Sequence, residues 1–311
     1  MLLSIKKSLL VCSVALLNSV CFDCGLALSR SVGTVQSEQD KSTDATANIP
    51  MRLWTNQKFT VLDSSRSLQR FGYQNLHDTS DRLKSVSYAE LAGKTLVVTG
   101  VNSNNFGEYV ITFEEQQSKK TYTSDASYRQ SLDHVVLSRD LEDAKARWIG
   151  KDVYSKSKRI YMYDQDTDKF GSVRIGFGQR LKVIDVCTGF YQHEPLWLIV
   201  QTDQGVQGYI GFAYSWTNMD NYEWRDYQPW EKRFFESNPR DIYDWSEEVW
   251  SSISNSQIMI GMDREQVVFS WGDPKKINKD IYYDGSTREQ WVYSSGYVYF
   301  DGGIVVAAQS R

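Results

Sequence analysis

From position 52 onward the apolar positions fall in short runs of aromatic and β-branched residues, broken by Gly, Asn and Asp. That pattern predicts short strands joined by tight turns. LVVTGV (96–101) and EYVITFEE (108–115) read as a hairpin around the turn-rich NSNNFG. LEDAKARW (141–148) reads as a short helix. Within 150–216, GQRLKVIDVCTG, PLWLIVQT and VQGYIGFAY read as successive strands, the last two joined by an Asp-Gln-Gly turn. At Trp245 the period becomes helical. Trp245, Val249, Trp250 and Ile253 share one face, with Asp244 and Glu247 spaced as a capping box. Asp263 and Gln266 are spaced to cap a second helix, Gly272 supplies a left-handed end, and Pro274 forbids continuation. KDIYYDGSTREQWVY, GYVYF and GIVVAA then read as three antiparallel strands, with turns at Asp284-Gly285 and Asp301-Gly302.

The expected fold is therefore mainly β and multi-domain. A β-rich N-terminal region (52–147) precedes a small β-barrel (148–216), an aromatic connector (217–244) and a C-terminal α+β module (245–311) of two short helices and a three-stranded sheet. The connector is dense in rings without a clean period, and the favoured reading packs those rings onto both neighbours. An exposed platform for sugars has the same composition. LAGKTLVV (91–98) and WIGKDVYS (148–155) echo one another and suggest where modules begin.

Composition adds a compartment. Lys6 and Lys7 precede an apolar stretch, and Gly25-Leu26-Ala27 offers small residues at a cut, so 1–27 reads as a secretory signal peptide. Residues 28–50 have almost no large apolar side chains and read as a flexible linker. Cys12, Cys21 and Cys24 lie inside the signal, and neither Cys21 nor Cys24 follows the small residues that lipidation needs. Only Cys187 is left after cleavage, so no internal disulfide is expected, and Cys187 reads as a small buried hydrophobe. The formal charge is −4 with no run of like charges, which argues against a nucleic-acid surface. The expected location is exported, periplasmic or extracellular, with outer-membrane association as a further expectation.

The run Trp197-Leu-Ile-Val-Gln-Thr-Asp-Gln-Gly-Val-Gln-Gly-Tyr-Ile resembles the bacterial SH3-like pattern, a Trp-led strand that turns at Asp-x-Gly and returns through Gly-aromatic-Ile. The C-terminal string I-x-I-G-M-D-x-E-Q-V, W-G-D-P, E-Q-W-V-Y and Y-V-Y-F-D-G-G-I-V (258–306) resembles the BamE/SmpA-type family, whose modules are similar in fold to β-lactamase inhibitor protein. Gly261, Met262, Val267, Gly272, Pro274, Trp291, Tyr293 and Phe300 carry the likeness. What the resemblance implies is a non-catalytic protein-interaction module of the bacterial envelope. This chain departs from the short lipoproteins of that family in its two upstream regions and its poor lipidation signal.

Candidate chemistry is thin. His77, His134 and His193 show no metal-ligand spacing. Asp164, Asp166 and Asp168 alternate as the first ligands of a calcium loop, but Lys169 stands where the loop needs glycine and Ile175 where it needs a bidentate acid. Glu114-Glu115 and Glu247-Glu248 read as solvated faces. No cofactor is expected. The candidate contact residues are Trp291, Tyr293, Tyr297 and Tyr299 on the C-terminal sheet and Trp197 and Tyr209 on the barrel. Half of the sheet residues must face the core, because side chains alternate along a strand. The function expected is non-enzymatic binding of an envelope protein partner, as a scaffold. The rivals are peptidoglycan or other cell-wall binding through the barrel, an envelope hydrolase with an unrecognised site, and a hydrolase inhibitor.

Overall fold

The computed structural model describes residues 50–125, 132–191, 194–214, 233–282, 285 and 287–310. The expected signal peptide, nearly all of the linker, His193 and most of the connector lie outside them. The described part is mainly β, arranged in three antiparallel sheets followed or bridged by short helices.

The first module opens with a 3-10 turn (Met51–Leu53). It continues through β1 (Lys58–Val61), α1 (Arg66–Gln69), β2 (Tyr73–Asp78), β3 (Asp81–Val86), α2 (Tyr88–Leu91), β4 (Thr95–Ser103), β5 (Tyr109–Glu115), β6 (Thr121–Ser124) and β7 (Val135–Leu137). Its strand order is β3-β2-β6-β5-β4-β1-β7. The expected hairpin is present as β4 and β5. Its turn is held by Asn104, whose side-chain oxygen accepts from the Phe106 and Glu108 amides, while Gly107 takes the left-handed conformation.

The second module follows α3 (Ser138–Trp148). It comprises β8 (Asp152–Ser155), β9 (Arg159–Asp164), β10 (Lys169–Arg174), β11 (Arg180–Tyr191), β12 (Glu194–Gln201), β13 (Gln207–Phe212) and β14 (Phe234–Phe235). Its order is β10-β9-β13-β12-β11-β8-β14, which is the first order with seven added to every strand number. The details repeat as well. The Asn56 amide bonds the Val98 carbonyl as the Gly150 amide bonds that of Val183, and both residues have positive φ. Gly93 and Gly178 have positive φ and bond the carbonyls of Val61 and Ser155. Both sheets carry a bulge at the equivalent place, after Val98 in β4 and after Val183 in β11. The 52–147 region is thus a second copy of the module that follows it.

This register aligns the two cores. Phe59, Leu76, Leu96, Val98, Ile111 and Phe113 of the first are matched by Val153, Ile160, Leu181, Val183, Leu198 and Val200 of the second, and all are buried. The Gly-Lys echo joins places that do not correspond: Gly93 precedes the fourth strand of its sheet, whereas Gly150 precedes the first of its own. The modules share a seam, because Leu62 and Val136 from the first and Ala144 from α3 sit in the second core. Thr60 and Ser138 hydroxyls meet at 2.9 Å beside it.

The C-terminal module follows a 3-10 turn (Pro239–Asp241) capped by Asn238. It contains α4 (Glu247–Ser254), α5 (Arg264–Trp271), β15 (Lys276–Ile281), β16 (Thr287–Val292), β17 (Gly296–Asp301) and β18 (Ile304–Ser310) in that sheet order. Two expectations are corrected. The sheet has four strands rather than three, because the run read as one strand is a hairpin, β15 paired with β16. The cap of α4 is Ser246, which accepts from the Val249 amide, rather than Asp244. The α5 capping box forms as expected: Asp263 accepts from the Gln266 amide at 2.8 Å, and Gln266 accepts from the Asp263 amide at 3.0 Å. Gly272 ends the helix with φ of 82°.

Rings fasten this module to the second one. Phe177 is buried against Phe235, Trp250 and Phe269, with ring centroids 5.0–5.9 Å apart. Tyr243 stacks on Trp245 at 4.3 Å, and Trp245 reaches Trp250. In the described part of the connector, 233–244, rings pack as the favoured reading expected. No helix among the described residues is long and apolar enough to cross a membrane.

Candidate functional site

Strand alternation sorts the candidate residues. Trp291 on β16 and Tyr293 just beyond its end point into the C-terminal core at 4% and 5% exposure. Tyr297 and Tyr299 lie on the opposite, half-buried face. Trp291 and Tyr293 therefore do not present their rings on the outer face of this sheet. The Trp291 indole N–H donates to Glu289 at 3.0 Å, and its ring packs on Phe300. Tyr293 meets Trp271 edge-on and donates to the Gly272 carbonyl, which pins the helix stop. Burial raises the Tyr293 phenol well above its ordinary range. Glu289 is the electrostatic centre of this module. Its carboxylate accepts from Arg264 and Trp291, and that pairing holds it down to about 2.

Trp197 and Tyr209 are brought together. Their rings stack at 3.8 Å with planes 11° apart, on the face of the second sheet away from its core. Each is nearly covered, at 4% and 7% exposure. Phe190 lies against Trp197 (4.6 Å), and Tyr163 against Phe190 (4.7 Å) and Phe170 (4.8 Å). Tyr161 flanks Tyr209 at 6.0 Å. The rings that reach solvent are Tyr161 and Phe170, 51% and 43% exposed. Sequence reading missed both, although alternation along RIYMYD puts Tyr161 and Tyr163 on one face.

Two glycines make the stack possible. A Cβ at Gly189 would overlap the Trp197 indole and the Glu194 carbonyl, and one at Gly211 would overlap the Glu194 carboxylate. Glu194 is held by an ion pair with Arg233, which also donates to the Gly211 carbonyl at 2.7 Å. The Trp197 indole N–H is buried without an acceptor among the described residues. Cys187, opposite Trp197 in the ladder, is half-buried rather than buried, because it lies on this outer face.

The first module provides an internal control. Where the second pairs Tyr161 with Tyr209, the first pairs His77 with Thr123. Where the second pairs Trp197 with Cys187, the first pairs Val110 with Asn102. The same topology therefore forms without these rings, so folding alone does not demand them. The first module instead carries a polar pair there, His77 Nε2 meeting Asp125 at 2.6 Å; on the core-facing side, beside Tyr122, Lys120 pairs with Asp78 and Glu90. Lys120 and Ser80 lower the carboxyl of Asp78.

The aspartates at 164, 166 and 168 do not form a cation cage. Asp164 accepts from the Asp166 amide and the Thr167 hydroxyl and closes its own turn. Asp168 accepts from the Ser67 amide (3.0 Å) and the Tyr163 hydroxyl (2.7 Å), which dock the turn onto the start of α1 and lower its carboxyl. Among the described residues no three His, Cys, Asp or Glu side chains are grouped to hold a metal ion. His134 is half-buried beside Tyr73, and burial lowers its imidazole. No protein-family profile matches this chain, and no curated protein matches its sequence.

Proposed function

We propose that this chain is a non-enzymatic binding and scaffold protein of the bacterial envelope, and that a protein partner docks on the aromatic patch of the second module. The observation that carries the reading is the internal control: one copy of the fold does without these rings, and the other presents Tyr161 and Phe170 to solvent. Aromatic side chains over a packed base supply much contact area at low entropic cost and dominate binding energies at protein interfaces. On this reading each seven-stranded module is an SH3-like barrel, supported by the strand order and the Asp-Gln-Gly hairpin at Gly205. The C-terminal module is of the BamE-like type, supported by its capped α5, its glycine stop and its antiparallel sheet. Envelope location rests on the pattern of the first residues.

Cell-wall glycan is the second reading, favoured by the two exposed rings, since sugars also stack on aromatic faces. The test compares the full chain with a Tyr161→Ala/Phe170→Ala double variant, by crosslinking in envelope fractions and by co-sedimentation with purified wall. A crosslinked polypeptide that the variant loses supports the proposal. Wall sedimentation that the variant loses, with no polypeptide captured, sinks it in favour of glycan.

A further inference from the structure

A cleft of about 620 Å³ runs beside α5, between the second module and the C-terminal one. It is lined by Lys156 and Lys158 of the second module and by Arg264, Glu265, Val268, Phe269 and Asp273 of the C-terminal one. That volume lies within the range of small-molecule sites, which combine apolar walls with a few convergent polar groups.

The charges in it are unevenly matched. Arg264 is neutralised by the buried Glu289 through two hydrogen bonds of 2.8 and 3.0 Å. Glu265 accepts from the Tyr243 hydroxyl at 2.8 Å. Lys158 differs, because its ammonium donates only to neutral oxygens, the Ser256 hydroxyl at 2.9 Å and the Ser270 carbonyl. Arg174, whose charge acts on Lys158, is also a cation and also donates to neutral groups, the Ser254 carbonyl and the Asn255 side chain. Two cations thus share one seam, with no carboxylate paired to either among the described residues. The carbonyl end of α5 offsets part of this field, since a helix C-terminus carries only about half a negative charge.

We propose that the cleft binds a small monocarboxylate with an apolar body, its carboxylate meeting Lys158 and its body lying on Val268 and Phe269, the half-buried apolar residues of its wall. A single negative charge fits better than a dianion, because Glu265 and Asp273 also line the cleft and would repel the second charge. The site is separate from the aromatic patch, so the proposal stands whether or not a protein docks there.

Burial, reinforced by Arg174, pushes the Lys158 amine down to about 8, so its titration reports occupancy in the unmodified full chain. The experiment is competitive amine labelling read by mass spectrometry across pH, with benzoate and N-acetylphenylalanine as probes and phenyl phosphate and benzylamine as controls. A bound carboxylate favours the ammonium and raises the Lys158 midpoint, while protecting that lysine and not the exposed ones. An effect from N-acetylphenylalanine alone identifies a peptide C-terminus as the ligand class, and one from benzoate identifies free acids. Lys158→Gln weakens probe affinity about tenfold or more, whereas Lys158→Arg keeps it. An unchanged midpoint with millimolar carboxylate, or equal protection of every lysine, makes Lys158 a plain tie to the helix end and overturns the proposal. A larger shift from phenyl phosphate overturns the preference for a monoanion.

Discussion

Replacing Glu289 with Gln tests the electrostatic account of the C-terminal module. The side chain is 6% exposed and receives Arg264 at 2.8 and 3.0 Å, the Trp291 indole at 3.0 Å and Lys279 at 3.4 Å. These partners, Arg264 first, lower its carboxyl from 4.5 to about 2. At about 1.4 kcal/mol per pH unit, that difference corresponds to about 3 kcal/mol. The sign follows from linkage: a lowered carboxyl stabilises the fold above about pH 4.5, and that contribution fades as the pH falls towards 2. Glu289→Gln is therefore expected to cost about 3 kcal/mol at neutral pH, consistent with breaking a buried pair while leaving its cation behind. The assay is urea unfolding followed by hydrogen exchange of peptides from 276–310, which isolates this sheet from the rest of the chain. The gap between wild type and variant should close below pH 4.5. A gap under about 1 kcal/mol at pH 7, or one that stays constant down to pH 3, refutes the reasoning.

Phe177→Ala removes the ring shared by the second and third modules and should cost about 3–5 kcal/mol, splitting one calorimetric transition into two. Gly189→Ala drives the Trp197 indole off Tyr209 and also presses on the Glu194 carbonyl, seen as a red-shifted tryptophan emission, loss of partner crosslinking and a clear drop in melting temperature. Calcium at millimolar concentration leaves the melting temperature unchanged, because Asp164 and Asp168 are spent on the turn and on α1; a rise of several degrees would restore the metal reading.

What could be read from the sequence followed from signals that act within a few residues. The Asp263–Gln266 box, the Gly272 stop and the Asp-Gln-Gly hairpin all depend on local backbone chemistry, and all are present. The duplication was hidden because a β core specifies burial and not identity. Phe59 and Phe113 in one copy do the work of Val153 and Val200 in the other. The turn before the first strand hides it too, since its left-handed residue is Asn56 in one copy and Gly150 in the other. β15 was merged into its neighbour because KINKDI lacks an apolar alternation, being an edge strand with polar residues on it. Alternation requires half of Trp291, Tyr293, Tyr297 and Tyr299 to face the core, but composition alone does not say which half is covered. Tyr161 and Phe170 were missed because the hairpin that presents them pairs across the sheet with β13, far along the chain.

The seam between the duplicated modules bears on how such a chain can be inherited. Leu62 and Val136 close a core that otherwise belongs to the sequence after them, and α3 lies between the two sheets. Recombination that carried off residues 148–235 alone would leave that core without its cover and expose apolar surface to aggregation. The two copies differ on their outer faces, His77 in the first standing where Tyr161 stands in the second, but the second cannot be cut away from Leu62 and Val136 without uncovering its core.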